Sequence, residues 1–159
     1  MLNVTITGDT EVIAKFNAMP EKIHRALVLE VTKLALDLQR HVVVDKLSGQ
    51  VLNKITGRLQ SSIQHDVQDS GTSVIGRVYA NTSTAPYAGA QEFGAIIPDR
   101  YPVSGKAMHW KSGGQDVFAK FARGFTLPER SYLRSSLTDY RDIIIDGMAT
   151  AVNNAIMDK

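Results

Sequence analysis

Histidines are the first residues to consider for catalysis or metal binding, and the chain has four of them, His24, His41, His65 and His109. They are scattered, and none falls in a zinc-binding spacing such as His-Glu-x-x-His. His65 and Asp66 are adjacent, but neighbours on a strand point to opposite faces, so they do not make a catalytic pair. We interpret all four as ordinary surface or core histidines and predict no metal site and no catalytic residue.

Nucleophile and nucleotide-binding motifs do not occur in the sequence either. There is no Gly-x-Ser-x-Gly elbow. Ser104-Gly105-Lys106-Ala107 looks like the end of a phosphate loop, but Arg100 stands where the loop's first glycine is required, and alanine follows the lysine. With no cysteine in the chain, disulfides, thiolate metal sites and cysteine nucleophiles are excluded. We therefore predict a protein that is not an enzyme and needs no cofactor, with an unrecognised hydrolase or metal site as the open alternative.

The tripeptide Gly113-Gly114-Gln115 has two interpretations. It matches the tripeptide that peptide release factors use at the ribosome, and two glycines after Lys111-Ser112 also suit the turn of a β-hairpin. We favour the hairpin turn.

Basic and aromatic residues alternate between positions 100 and 130. The cations are Arg100, Lys106, Lys111, Lys120, Arg123 and Arg130, and the aromatic residues among them are Tyr101, Trp110, Phe118 and Phe121. Such a surface can stack bases and neutralise phosphates, which indicates one possible function, a small nucleic-acid-binding module. A solvated hairpin whose lysines protect its edges explains the same residues, and the net charge of +2 is too small to decide.

The composition predicts one globular domain. The 159 residues are 43% hydrophobic and 21% charged, which suits a chain with a real core. The first ten residues lack the pattern of a signal peptide, and charged residues interrupt the longest apolar stretch. We expect a soluble protein, made in a cytoplasm, with no membrane partner.

Two long amphipathic helices are predicted. The first begins at Pro20, should end near Leu47, and carries an apolar stripe of Ile23, Leu27, Val31, Leu34, Leu38 and Val42. Val28, Leu29, Leu36 and Val43 lie off this stripe, so the helix is either wedged between a sheet and a helix or meets another subunit. The second has an apolar stripe that begins at Leu133, and Gly147 inside it indicates close packing, since glycine otherwise costs about 1 kcal/mol there.

Alternating residues predict the strands. Residues 2–7 fit a strand, followed by a short helical stretch through Phe16. Residues 62–69 and 73–80 flank the turn Asp69-Ser70-Gly71 and predict a β-hairpin. In the long connection, strands are expected around Met108 and Trp110 and around residues 117–121.

Residues 85–94 predict a short amphipathic helix between this hairpin and the long connection. It contains Glu92, an acid in a neutral and aromatic setting, which needs a cationic partner or hydrogen bonds if buried. Arg58 and Arg130 are the candidate partners, and we favour an internal ion pair over a general base. The elements together predict an α+β fold: a small antiparallel β-sheet packed against two long α-helices, with a long β-hairpin-like loop. We expect a single domain over residues 1–159, with the loop excursion at about 95–127.

Three motifs in this order and spacing resemble those of a known family. They are Thr56-Gly57-Arg58-Leu59-Gln60-Ser61-Ser62-Ile63, then Tyr87-Ala88 leading to Glu92-Phe93-Gly94, then Pro128-x-Arg130-x-Tyr132-Leu133. Over roughly residues 20–157 the chain resembles the tail-completion, or head–tail joining, family of long-tailed bacteriophages and prophages. It departs at Ala95, where threonine is frequent, at Ser131-Tyr132, where Pro-Phe is frequent, and in its longer loop.

The resemblance implies a non-catalytic α+β subunit that forms a homo-oligomeric ring, with a hexamer as one candidate size. Its partners would be the tail-tube or tail-terminator protein and the head-completion protein, with packaged DNA close by. It would act in the virion, in the neck or at the head-proximal tail end, after assembly in the host cytoplasm.

The resemblance also assigns roles to residues. The residues expected to hold the fold are Gly57, Arg58, Leu59, Tyr87, Glu92, Phe93, Gly94, Pro128, Arg130, Tyr132 and Leu133. The residues expected to contact a neighbouring subunit or another partner are Ile96, Ile97, Arg100, Tyr101, Met108, Trp110, Phe118 and Phe121.

Overall fold

A computed structural model of the chain describes residues 21–157. The strand predicted at residues 2–7, the helical stretch through Phe16 and the helix start at Pro20 lie outside these residues. The helices are α1 (Glu21–Val44), α2 (Arg58–Ser62), α3 (Ala88–Phe93) and α4 (Leu133–Met157), with a 3-10 helix at Lys46–Ser48. The strands are β1 (Ile63–Asp69), β2 (Val74–Ala80), β3 (Ala95–Ile97), β4 (Met108–Ser112), β5 (Gln115–Ala119) and β6 (Phe125–Leu127). Two long helices with small antiparallel sheets confirm the α+β class.

The chain divides into two compact units. One, here called the body, consists of residues 21–88 and 131–157 of the described chain, and the other, called the arm, is Gly89–Arg130. The predicted excursion at 95–127 falls inside the arm.

Helix α1 is the centre of the body. Of its predicted stripe, Leu27, Leu34 and Val42 are buried, and the helix contacts α4 as well as β1 and β2. The prediction of a helix wedged between a sheet and another helix is therefore confirmed. Leu29 and Leu36, which lie off the stripe, stay exposed. The α-helix ends at Val44, before the predicted end near Leu47, and the 3-10 helix takes up the difference.

Helices α1 and α4 approach closely at Gly147. A Cβ atom at this position would lie 2.9 Å from Glu30 Oε1 and 3.5 Å from both methyl carbons of Leu34. The glycine that a helix interior disfavours is thus explained by packing, as the sequence predicted.

The β-hairpin forms where it was predicted. Strands β1 and β2 pair antiparallel from Ile63↔Ala80 to Asp69↔Val74. Its inner face meets α1, since His65 Nδ1 lies 2.6 Å from Gln39 Oε1. Helix α2 ends at Ser62, because the extended conformation of Ile63 closes α2 and begins β1.

The core of the body is a cluster of Val42, Leu47, Ile63 and Tyr132, all at most 3% exposed. It joins α1, the 3-10 helix, β1 and the residue before α4. Burying each such large apolar side chain stabilises the fold by roughly 1.5–3 kcal/mol. The body therefore holds together the segments that carry the first and third sequence motifs.

Candidate interaction surface

The arm is built around one long, interrupted β-hairpin. Strands β3 and β6 pair from Ala95↔Leu127 to Ile97↔Phe125, and an antiparallel bridge between Arg100 and Ala122 continues the same register. Beyond it, residues 101–107 lie opposite 120–121, and β4 then pairs with β5. The predicted strand pair around Trp110 is confirmed, although β5 ends at Ala119 and does not reach Phe121.

Two glycines allow the close backbone approach near the root of the hairpin. Gly94 has φ +73°, and a Cβ there would lie 2.9 Å from the carbonyl oxygen of Leu127. A Cβ on Gly124 would lie 2.3 Å from the carbonyl oxygen of Ile97. Both contacts are with backbone atoms of the opposite strand, which cannot move aside as a flexible side chain would. The arm therefore needs glycine at both positions.

The tip of the arm is a two-residue turn. Gly113 and Gly114 both have positive φ, +58° and +84°, between the paired residues Ser112 and Gln115. Such a pair of glycines is typical of a type I′ hairpin turn. The hairpin interpretation of Gly113-Gly114-Gln115 is confirmed.

All the aromatic residues of the arm are exposed. Their exposed fractions run from 40% for Trp110 to 69% for Phe118. The set is Phe93, Tyr101, Trp110, Phe118, Phe121 and Phe125. Tyr101 and Phe121 pack with ring centroids 5.3 Å apart, and His109 stacks on Phe118 at 4.6 Å. Because large apolar side chains are usually buried, this concentration makes the arm the candidate interaction surface.

The predicted contact residues divide by exposure. Ile96, Arg100, Tyr101, Trp110, Phe118 and Phe121 are exposed, whereas Ile97 and Met108 are partly buried. The hairpin brings them onto one unit, as predicted, but distributes them over both faces of its paired strands.

The arm also holds the excess positive charge of the chain. It contains six Lys and Arg residues against four Asp and Glu residues. The whole chain has 18 Lys and Arg against 16 Asp and Glu, so the residues outside the arm carry no net charge. Within residues 21–157, no acidic side chain forms an ion pair with Arg100, Lys106, Lys111, Lys120 or Arg123. Asp99 accepts a hydrogen bond from Gly124 N at 2.7 Å, and Asp116 lies 2.8 Å from His109. The cations are therefore available to a partner.

A shallow cavity of about 330 Å³ lies within the arm. It is lined by Arg100, Met108, His109, Trp110 and Ala122. This volume is at the low end for small-molecule sites. One guanidinium beside an indole and a thioether suits a flat or apolar group that carries negative charge, such as a side chain of a docked protein.

The first motif ties the start of α2 to the segment before α3. Gly57 has φ +74° at the N-terminus of α2, and the side chain of Arg58 donates a hydrogen bond to the carbonyl oxygen of Thr84. Leu59 packs against the core cluster. These contacts place the residues in structural roles within the body.

The third motif makes one contact within the body and one within the arm. Tyr132 is fully buried, and its hydroxyl donates a hydrogen bond of 3.2 Å to the carbonyl oxygen of Ala88. Leu133 packs against the same core cluster. Pro128 and Arg130 are exposed, and the Arg130 amide donates to the carbonyl oxygen of Gln91 at 2.9 Å.

The second motif contains one buried acid among exposed neighbours. Glu92 is 1% exposed, whereas Tyr87 is 40% and Phe93 is 51% exposed. The ion pair of Glu92 with Arg58 or Arg130 remains a prediction. Every buried side-chain nitrogen and oxygen in residues 21–157 has a hydrogen-bond partner, so the Glu92 carboxylate is satisfied.

The body contains a polar cluster that the sequence did not predict. Lys46 Nζ lies 2.6 Å from Asp139 Oδ2, and His41 lies 3.2 Å from the same oxygen and 2.7 Å from Asp45. The hydrogen bond from Lys46, followed by that from His41, lowers the pKa of Asp139 below its ordinary value of 3.8. The four-residue spacing of His41 and Asp45 in the predicted first helix indicates that these two side chains can meet. No sequence pattern predicts the contact of His41 with Asp139, because the two residues are 98 positions apart.

Comparison of the chain with protein-family models, curated proteins and solved structures finds no match. In residues 21–157, no group of three His, Asp or Glu side chains is arranged to hold a metal ion. None of the helices in that range is both long and apolar enough to cross a membrane.

Proposed function

We propose that the protein is a structural subunit of a phage or prophage virion, which completes the tail or joins it to the head. The observation that carries this proposal is the set of three family-like motifs. They occur in the expected order, and each lies at the end of a helix: the start of α2, the end of α3 and the segment that leads into α4.

The arm supports an assembly role. A subunit that must hold neighbours needs apolar and charged surface that stays accessible before assembly, and the aromatic and basic side chains of the arm are exposed. We infer that the body forms a ring in the neck or at the head-proximal tail end, and that the arms contact neighbouring copies. The tail-tube or tail-terminator protein and the head-completion protein would contact the faces of the ring.

Deletion of the gene, followed by electron microscopy of the lysate, tests this function. Full heads that stay separate from finished tails would support joining, and over-long tails would support length termination. A plasmid copy of the wild-type gene should restore whole particles. Normal, infectious particles in the deletion strain would overturn the proposal.

A second candidate function is a nucleic-acid-binding module. The exposed aromatic rings and unpaired cations of the arm favour it, because stacking on rings and neutralisation of phosphates bind single strands without sequence preference. Affinity for a labelled single-stranded oligonucleotide should then fall steeply as salt rises. Undetectable binding at low salt would remove this candidate.

A further inference from the structure

We propose that the arm of one copy docks on the C-terminal half of α4 in a second copy, with basic and aromatic side chains meeting an acidic, apolar helix face. This contact rests on the proposed ring-forming function, for which it names the two surfaces that meet.

The arm has the properties of a segment that requires a protein partner. Strands β4 and β5 form a sheet of two strands. A two-stranded hairpin is marginally stable in water unless a helix or further strands cover it. Trp110 and Phe118 stand on opposite faces of these strands, since Trp110 pairs with Val117 and His109 pairs with Phe118. A partner that covers one face would bury aromatic area and stabilise the hairpin at the same time.

The receiving surface is a continuous exposed face of α4. Between residues 142 and 157 the only charged residues are Asp142 and Asp146, and neither forms an ion pair within the described chain. At 100° per residue, both acids lie on one side of the helix together with exposed apolar side chains. The exposed members of this face are Asp142, Ile145, Asp146, Ala149, Asn153, Ile156 and Met157. Ile145, Ile156 and Met157 are 56%, 59% and 81% exposed.

The two surfaces match in charge and in chemistry. Residues 95–127 have five cations and two acids, and both acids already hold hydrogen bonds inside the arm. The α4 face has two acids and no Lys or Arg. Opposite charges guide the approach, and the aromatic and aliphatic side chains supply the buried area. A nucleic acid would neutralise the arm but would leave the apolar α4 face exposed, so a second copy explains more of the surface.

In the proposed ring the contact is heterologous, so that the arm of a copy and its α4 face meet two different neighbours. Each copy then offers an arm to one neighbour and an α4 face to the other. Contacts of this kind propagate from copy to copy and close into a ring when the rotation allows.

The chain has no cysteine, so pairs of single-cysteine variants can test the contact without background. Ser112→Cys places a thiol near the arm tip, and Asn153→Cys places one on the α4 face; both positions are exposed. Groups held in contact react as if at millimolar concentration. With dissolved oxygen and a copper–phenanthroline catalyst as the oxidant that accepts the two electrons, mixed variants at micromolar concentration should form the mixed disulfide at least about tenfold faster than a control pair. The control pairs Asn153→Cys with Gln68→Cys, which is exposed on β1.

A charge test identifies the surfaces. Asp142→Lys together with Asp146→Lys should abolish the excess cross-linking, and Lys106→Glu together with Lys111→Glu on the arm-cysteine copy should restore part of it. Equal rates for the test and control pairs would overturn the docking proposal, and if single-stranded DNA then bound the arm, the arm would be assigned to nucleic acid. Specific cross-links combined with normal particles in the deletion strain would uphold the contact and reject the virion function.

Discussion

At the scale of single residues, the family-like motifs contain two kinds of side chain. Glu92 and Tyr132 are at most 1% exposed and hold the fold, while Tyr87 and Phe93 are exposed at the surface. A short motif therefore combines residues that are fully buried with residues whose side chains lie at the surface.

Glu92→Gln should destabilise the protein. The buried carboxylate accepts hydrogen bonds, and an amide in its place directs N–H groups at donors, which costs about 1–3 kcal/mol of unfolding free energy. Chemical denaturation would measure the change. Glu21→Gln is the matched control, because Glu21 forms an exposed pair with Arg25 that is worth at most about 1 kcal/mol. Equal stability of Glu92→Gln and wild type would contradict the structural role.

Asp139 should make stability depend on acid pH. Because its pKa is lowered in the folded state, its contribution is fully present above the ordinary value of 3.8 and is lost as pH falls through the folded pKa. Asp139→Asn should therefore lower the melting temperature at pH 7 and reduce the loss of stability between pH 5 and pH 2. The effect is at most about 1 kcal/mol, because Asp139 is 45% exposed and solvent screens the pair.

The control for this experiment is Asp37→Asn, on α1 and outside any described ion pair. If the two variants showed the same melting temperatures at each pH, the cluster of Lys46, His41 and Asp139 would not contribute through Asp139.

At the scale of elements, the sequence predicted local structure well and distant pairing poorly. The β1–β2 hairpin could be predicted because apolar and polar residues alternate on both sides of Asp69-Ser70-Gly71. Helix α1 could be predicted because its apolar residues repeat at helical spacing. The β3–β6 pairing was not readable, since three-residue strands show no period and their partners lie about 30 residues apart. The same reason hid the contact between Lys46 and Asp139, whereas the candidate partner surface was predicted because its aromatic and basic residues are close in sequence.

Gly124→Ala should open the arm and leave the body folded. The new Cβ would sit 2.3 Å from the carbonyl oxygen of Ile97, so the strands must separate locally. Amide exchange would report this at the Arg100–Ala122 bridge, whose two backbone hydrogen bonds are 2.9 and 3.0 Å long. We expect exchange there to speed up on the order of 10- to 100-fold, while amides of α1 keep their protection.

Gly89→Ala is the control for the arm, because nothing lies within 4 Å of its added Cβ and alanine favours the helix α3. Unchanged amide exchange at Arg100 and Ala122 in the Gly124→Ala variant would show that the β3–β6 end of the hairpin tolerates a side chain at position 124. That result would contradict the close approach of Gly124 to the carbonyl oxygen of Ile97.

At the scale of the whole molecule, a head-to-tail contact between arm and α4 makes a stoichiometric prediction. A copy with Trp110→Ala and Phe118→Ala can receive an arm but cannot offer one, and a copy with Asp142→Lys and Asp146→Lys can offer an arm but cannot receive one. Each variant alone should be monomeric. Mixed in equal amounts they should form one-to-one dimers and nothing larger, because each dimer keeps one disabled arm and one disabled α4 face.

Sedimentation velocity would distinguish this outcome from others, with the wild-type chain at the same concentration as the reference for a larger closed assembly. If instead one patch met the same patch of another copy in a symmetric contact, the variant that keeps that patch would form dimers by itself. If the arm served only nucleic acid, all variants and the wild type would sediment alike. Dimers in the mixture, larger particles in the wild type and monomers in each variant alone together require two different surfaces that join copy to copy.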